Sequence, residues 1–291
     1  MNPKDNRPCL IVTADDFGRS HYVNQAVEKA FCQGILTCAS LMVNGEEAAE
    51  AVRIAKRHPG LQTSLHLTFT HGAPLYHGLN HPCLKSRQGV FRSSPAVVGM
   101  ALQFSRSVEE QVNRELDAQF KAFESTGLPF RHVDCHHHLF IQPKLFNAVV
   151  DKAAAFGLES IRIPHEPWDI SGPLCENHVA RNLIYRMVFT PLTARCRRKS
   201  IARNIMSADG VFGLYQTGAL TRDWLIGLLE RLDNEHGIYE LYSHPSTEPD
   251  STGSLELEAL TTPRIMDLIK EKGVRIIRYA DMTKFRQDGH E

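Results

Sequence analysis

Two clusters of polar residues in this chain have the residue types and the spacing needed for metal-dependent chemistry. Asp15 and Asp16 follow the apolar run 9–13 almost directly, and residues 132–138 read His-Val-Asp-Cys-His-His-His. Neighbouring carboxylates repel each other unless a cation or a shared proton relieves the repulsion. Imidazole nitrogen is a favoured ligand of zinc and similar ions, and a carboxylate commonly orients such a histidine. The clusters therefore indicate a metal site with a free carboxylate beside it as a base.

Three further polar residues lie where predicted strands end, namely His66, Arg162 and His244. The carboxyl ends of parallel strands converge on one side of an α/β fold, so these side chains are expected to meet the two clusters. A histidine outside the metal set can hold a proton near neutrality and act as a general acid. A buried arginine needs an anionic partner, and Asp15 or Asp134 would serve. Taken singly, each residue has an ordinary alternative as a core histidine, a surface arginine or a turn histidine.

The predicted order of strands and helices indicates where these residues lie in the fold. Short apolar runs rich in β-branched residues predict strands, and apolar residues at helical spacing predict the helices between them. With short joints, this order requires parallel strands and predicts an α/β fold, which at 291 residues can form one domain. The predicted strands cover 9–13, 35–43, 61–67, 132–135, 160–163, 211–214, 238–242 and 274–278, and the predicted helices cover 23–33, 46–57, 108–125, 143–156, 180–201, 222–232 and 263–272.

Two stretches depart from this alternation. Residues 70–95 are rich in Pro, Gly and His and indicate a long irregular loop of the kind that builds substrate sites. Residues 165–209 insert a helical segment in which the apolar stretch 180–192 is followed by four basic residues within 195–199. This segment could lie on an anionic membrane surface, or it could be a lid or dimer contact with a solvated basic end.

Bulk composition narrows the class of protein. Lys plus Arg equals Asp plus Glu at 33 each, so net charge suggests no nucleic-acid partner. The seven cysteines form no Cys-x-x-Cys pair, which predicts buried, reduced thiols rather than a zinc knuckle or a disulfide framework. No signal peptide and no apolar run of about 18 residues are evident. We therefore expect a cytoplasmic protein, with peripheral contact to the inner face of the membrane as the alternative.

The chain resembles the YdjC-like carbohydrate deacetylase family. Four segments carry the resemblance, in the family's order and across nearly the whole chain: 13–18 (TADDFG), 65–67 (LHL), 132–138 (HVDCHHH) and 243–245 (SHP). The first and third together are quite specific, whereas either alone is weak. The resemblance implies a single-domain, distorted (β/α) barrel of the polysaccharide-deacetylase type spanning residues 1–291, in a family whose members often dimerise. It also implies removal of acetate from an N-acetylated sugar.

The resemblance gives five residues a role in the reaction. Asp16, His66 and His136 match the family's metal ligands. Asp15 matches its general base, and His244 matches the histidine expected as general acid. One divalent ion per subunit is implied, and we expect Zn²⁺ or Mg²⁺, although the ligand types leave its identity open.

Five more residues are expected around this centre. Asp134 is expected to orient a ligand histidine, and Arg162 is expected to orient the base. Phe17, His71 and His138 are expected to contact the substrate.

Within the family, the likeness is to the subgroup associated with hopanoid biosynthesis, and it rests on segments that include 34–43, 118–123, 126–129 and 211–214. That subgroup is associated with deacetylation of an N-acetylglucosaminyl hopanoid glycolipid, whereas another branch acts on chitooligosaccharides. Two other classes stay open: a phosphoesterase or amidohydrolase with the same metal chemistry, and a non-catalytic metal- or sugar-binding regulator. Two-metal phosphoesterases need more bridging carboxylates, and a mere metal binder would not need Asp15.

Overall fold

A parallel sheet of eight strands forms the centre of the computed structural model of this protein, which describes residues 7–175, 179–232 and 235–287. The strands are β1 (Cys9–Phe17), β2 (Cys38–Leu41), β3 (Gln62–Leu67), β4 (His132–Cys135), β5 (Ser160–Ile161), β6 (Gly210–Phe212), β7 (Ile238–Ser243) and β8 (Arg275–Ile277). Their order is β5-β4-β3-β2-β1-β7-β6, and β8 pairs with the first residues of β1. All these pairings are parallel, which confirms the prediction from the alternation.

Helices connect the strands, and their buried apolar side chains join those of the strands in one large core. The helices are α1 (His21–Gln33), α2 (Ala48–Arg57), α3 (Pro95–Phe104), α4 (Arg106–Ser125), α5 (Pro143–Ala155), α6 (Trp168–Ser171), α7 (Val179–Ile201), α8 (Arg222–Leu232), α9 (Thr252–Thr261), α10 (Pro263–Glu271) and α11 (Met282–Gln287), with 3-10 turns at His136–Ile141, Gly172–Leu174 and Tyr279–Asp281. Helices α3, α9 and α11 and the short α6 were not predicted. Helix α3 contains no charged residue, so its apolar residues mark no helical period in the sequence.

Main-chain hydrogen bonds join the two edges of the curled sheet. The N–H of Ile161 donates to the carbonyl of Met206, and the N–H of Met206 donates to the carbonyl of Glu159, each over 2.9 Å. The N–H of Val211 donates to the carbonyl of His165 over 2.8 Å. The chain around β5 is therefore bonded to the chain around β6 by a short, irregular set of bonds, and the curled sheet has the distorted barrel form that was expected.

The predicted irregular loop lies between β3 and α3. Within it, Lys85 and Phe91 form an isolated antiparallel bridge. The buried carboxylate of Glu115 accepts the N–H groups of Leu75 and Tyr76 over 3.1 and 2.7 Å. These bonds fix the loop against α4, because a buried carboxylate must find donors.

All seven cysteines are free, as the spacing predicted. Five are buried, but Cys83 is only half-buried and Cys32 is exposed, so the expectation of burial was wrong for these two. Burial raises the pKa of Cys38 and of Cys196 to about 12, which keeps these thiols protonated and unreactive at neutral pH. None of the described helices is long and apolar enough to cross a membrane.

A buried glutamate fixes the chain after β6. Oε2 of Glu166 accepts the N–H of Tyr215 over 3.0 Å, whereas its Oε1 has no hydrogen-bond partner in the part of the chain that the structure describes. Burial raises the pKa of this carboxyl to about 7, although the N–H of Tyr215 opposes the shift. The folded protein therefore favours the protonated form of Glu166.

We expect the substitution Glu166→Gln to stabilise the protein at pH 8 and to change little at pH 4. The carboxyl pKa rises from the ordinary value of 4.5 to about 7 on folding, so the wild type loses stability as pH rises through this window. A neutral amide avoids that loss, which is on the order of 3 kcal/mol. Urea unfolding of both proteins at several pH values measures it. A difference that stays constant with pH would contradict the assignment.

Candidate metal centre and active site

The two adjacent aspartates lie at the end of β1, where the strand is irregular. Its pairing with β2 shifts between Ala14 and Phe17, and Asp16 has a positive φ of 61°. In a regular strand neighbouring side chains point to opposite faces, so this irregularity allows both carboxylates to reach the same site. Aspartate adopts this left-handed conformation more readily than most residues. Both side chains are buried.

Asp16, His66 and His136 come together. Oδ1 of Asp16 lies 3.4 Å from Nε2 of His66 and 2.9 Å from Nδ1 of His136. All three residues are buried, and within the described ranges neither Asp16 Oδ1 nor His66 Nε2 makes a well-aligned hydrogen bond. Buried polar atoms without partners are rare, so the convergence of these atoms fits a cation between them. The cluster can hold a metal ion, and two imidazoles with a carboxylate suit Zn²⁺ and related divalent ions.

Asp134 orients His66. Its Oδ1 lies 2.6 Å from Nδ1 of His66, and the Ser40 hydroxyl donates to its Oδ2. Because Nδ1 then carries the proton, the lone pair of Nε2 is free to face Asp16. Burial alone would lower the pKa of His66, but the charges of Asp15 and Asp134 raise it to about 10. This position therefore favours a positive charge, which is either a second proton on Nε2 or a metal ion that takes the place of that proton.

Arg162 binds Asp15 through both terminal nitrogens, over 2.7 and 2.8 Å. The same guanidinium lies 3.2 Å from Asp134 Oδ2, and its Nε donates to Glu240 Oε1 over 2.7 Å. Arg162 is completely buried, and these three carboxylates supply the anionic partners that such a residue requires. Asp15, His66 and Asp134 form a second possible ligand group, but the guanidinium already contacts both carboxylates. In the first group, Arg19 contacts Asp16 only through Oδ2, and Oδ1 of Asp16 has no hydrogen-bond partner among the described residues, so this group is the candidate metal site.

Two residues of this network had no role in the sequence analysis, Glu240 and Tyr279. The O–H of Tyr279 donates to Glu240 Oε1 over 2.5 Å and lies 2.9 Å from Thr13 Oγ1. The ring of His132 stacks flat on that of Tyr279, with centroids 3.5 Å apart. A glutamate inside the otherwise apolar and aromatic strand Ile238–Ser243 was a signal that could have found Glu240. Tyr279 gave no comparable signal.

The His-rich segment turns sharply after β4. His137 and His138 have positive φ values of 55° and 52°. His137 is exposed, with its ring centroid 3.9 Å from that of His136 and its Nδ1 3.0 Å from Thr70 Oγ1. Nε2 of His138 lies 3.1 Å from the Tyr242 hydroxyl. Burial and the charge of Arg162 hold the pKa of His138 well below its usual value. His138 is therefore a neutral, buried imidazole beside the candidate centre.

The remaining predicted site residues, His244, His71 and Phe17, lie at different positions relative to the candidate metal site. His244 is half-buried directly after β7, near enough to act electrostatically on Asp16. His71 is half-buried, and its ring centroid lies 5.5 Å from that of His136. Phe17 is completely buried in the hydrophobic core. Its side chain has no exposed surface, so this position does not support the expected contact with a substrate.

These buried candidate ligands stand at or just beyond the ends of β1, β3 and β4, on the side where α/β folds place their sites. Together they define an α/β barrel-like protein with a candidate mononuclear metal centre. The YdjC-like protein family matches residues 9–271, and the chain belongs to this family. The expected family is confirmed, whereas the hopanoid-associated subgroup stays a prediction.

Several known proteins are similar to this chain over half of its length or more. The carbohydrate deacetylase of Geobacillus stearothermophilus is 32% identical over 285 residues, which cover 94% of this chain and 98% of the relative. The chitooligosaccharide deacetylase of Serratia marcescens is 35% identical over 150 residues, which cover 51% and 57%. A crystal structure of a putative cellobiose-phosphate cleavage protein from Enterococcus faecalis V583 aligns with a TM-score of 0.72 and 21% identity, over 95% and 99% of the two chains. That likeness shows a shared fold.

Proposed function

We propose that this protein is a metal-dependent hydrolase that removes the acetyl group from an N-acetylated sugar. The observation that carries the proposal is the convergence of Asp16, His66 and His136 beside Asp15. The family and its relatives named carbohydrate deacetylases support the reaction class. The reaction breaks the amide C–N bond, adds water across it, and yields acetate and a free amine.

Asp16, His66 and His136 would hold one divalent ion per subunit, and we propose Zn²⁺ ahead of Mg²⁺ because two of the three ligands are nitrogen. When bound, such an ion lowers the pKa of water and polarises a carbonyl group. Asp134 keeps His66 in the tautomer that presents Nε2 to this position.

Asp15 is the proposed general base. Its carboxylate accepts a proton from the water molecule whose oxygen bonds to the acetyl carbon. Both of its oxygens accept hydrogen bonds from Arg162, which fixes the carboxylate beside the ligand group. A protein that only binds metal or sugar has no use for this arrangement, so Asp15 favours an enzyme over a regulator.

His244 is the proposed general acid, which donates a proton to the nitrogen of the leaving amine. Its own main-chain N–H donates to the buried carboxylate of Glu256 on α9 over 2.5 Å. The loop after β7 is therefore anchored, and the half-buried imidazole can face a substrate on its open side.

The subgroup resemblance makes an N-acetylglucosaminyl hopanoid glycolipid the proposed natural substrate, with a free chitooligosaccharide as the alternative. His71 and His138 flank the ligand group and are the proposed substrate contacts. A homodimer is a further proposal, and it rests on the family resemblance.

Acetate release from N-acetylglucosaminyl hopanoid and from diacetylchitobiose, with and without a chelator, tests these proposals. Chelator-sensitive release from the lipid alone would support the reaction and the subgroup together. Release from diacetylchitobiose alone would keep the reaction and contradict the glycolipid. A metal-loaded protein that releases acetate from neither would contradict the deacetylase proposal for both substrates.

A further inference from the structure

Helix α3 exposes a row of large apolar side chains. Val97, Met100 and Phe104 are 46%, 62% and 79% exposed. Their spacing of three and four residues places them on one face of the helix, while Val98 and Leu102 face the core. Exposed apolar residues in a row indicate a surface that meets an apolar partner, whereas isolated ones need no explanation.

Helix α7 exposes a second row. Ile184 and Met187 are 60% and 72% exposed, and both share a helical face with Val188. The same spacing, continued along α7, brings Arg198 and Lys199 onto this face, and both are exposed in the last turn. One side of α7 is therefore apolar in its first half and basic at its end.

Both helices pack against the turn that carries the histidines, His136–Ile141. In α3 the main chain at Gly99 lies against Leu139. In α7 the ring of Phe189 meets that of His138 edge-on, with centroids 6.5 Å apart. The two apolar rows therefore flank the candidate active site.

The sequence around these rows is basic, although Arg106 pairs with Glu110 and Arg203 pairs with Asp151. Residues 85–106 contain four Lys or Arg residues and no Asp or Glu, and residues 177–208 contain seven and none. Within the described ranges, Arg198 and Lys199 have no ion-pair partner. This local excess is independent of the net charge of zero for the whole chain.

We propose that these rows form one docking surface for an anionic lipid bilayer. We name it the α3–α7 face, defined by Val97, Met100, Phe104, Ile184 and Met187. Apolar side chains that enter the headgroup region, next to basic residues that meet anionic headgroups, are the features of helices that lie on membranes. A symmetric contact with a second copy would instead bury two copies of this basic excess in one interface, and their net repulsion disfavours that occupant.

Flotation of the purified full chain with vesicles tests the proposal without any substrate, so the result does not depend on the deacetylase reaction. The vesicles are phosphatidylcholine alone or phosphatidylcholine with about a third phosphatidylglycerol. We expect binding to the anionic vesicles only, with weaker binding at high salt. The double substitution Phe104→Ser/Met187→Ser is expected to weaken binding at least about tenfold, because two large apolar side chains no longer enter the membrane.

Two further variants make the test specific. Arg198→Glu/Lys199→Glu should weaken binding about twenty-fold or more, since each basic residue near an anionic surface contributes about 1 kcal/mol. Leu255→Ser is the matched control, because Leu255 is 50% exposed on α9, outside the face, and its loss should leave binding unchanged. Circular dichroism establishes that each variant is folded.

Three outcomes would overturn the proposal. The wild type could fail to bind anionic vesicles, or folded Phe104→Ser/Met187→Ser could bind as the wild type does. The third outcome is that the wild type does not bind vesicles but sediments as a dimer, and that the double substitution dissociates this dimer. That result would assign the α3–α7 face to a second copy.

Discussion

Replacing Asp15 by asparagine is expected to lower kcat for deacetylation by about 10²–10⁴-fold while metal content stays unchanged. Asparagine keeps the shape of the side chain but cannot accept the proton of the attacking water. Asp15 is not in the set of Asp16, His66 and His136, so the proposed metal ligands remain. Acetate release and elemental analysis of the same preparation measure the two effects separately.

The matched control is Asp16→Asn, the neighbouring carboxylate in the same strand. This substitution replaces a proposed metal ligand, so we expect metal and activity to be lost together. If Asp15→Asn also lost its metal, or kept wild-type turnover, the division between base and ligand would be wrong. A thermal unfolding curve of each variant separates these effects from a loss of folding, because Asp15 also binds Arg162.

The second large effect is expected from Arg162→Met, which should lower the free energy of unfolding by about 3–5 kcal/mol. The substitution fills a similar volume but leaves Asp15, Asp134 and Glu240 buried without their shared cation. Burial alone would raise the pKa of Asp134, and the charge of Arg162 lowers it below its ordinary value. Without that charge, the cost of burying the carboxylates is no longer offset. Urea unfolding measures the difference.

A surface ion pair provides the comparison. Arg264 lies 2.7 Å from Glu271, with both side chains 53% exposed, so Arg264→Met should cost less than about 1 kcal/mol. Arg162→Lys tests geometry, because lysine keeps the charge but cannot bind Asp15 through two parallel N–H groups. We expect its stability to lie between those of the wild type and Arg162→Met. Equal stability of Arg162→Met and Arg264→Met would contradict the role of the buried network.

Local pattern was sufficient for the parallel order of the strands and for the strand ends at which the candidate centre lies, whereas the family resemblance assigned its members. Short apolar strands that alternate with amphipathic helices require a parallel sheet, and the carboxyl ends of parallel strands meet on one side of that sheet. This argument places Asp16, His66 and His136 together, although they come from β1, β3 and the turn after β4. It failed for α3, because an uncharged apolar segment has no period that distinguishes a helix from a strand.

Only the tertiary structure decided which partner each charged residue has. Arg162 and Asp15 are 147 residues apart, and the sequence left Asp15 and Asp134 as alternative partners where the structure has Arg162 contact both, with Glu240 as a third. The irregularity at Asp16 and the burial of Phe17 likewise depend on how β1 pairs with β2 and packs in the core. Residue type and spacing are local properties, whereas the match of buried charges depends on contacts between distant segments. The pairing of the buried charges and the exposure of the apolar rows on α3 and α7 are therefore properties of the folded chain.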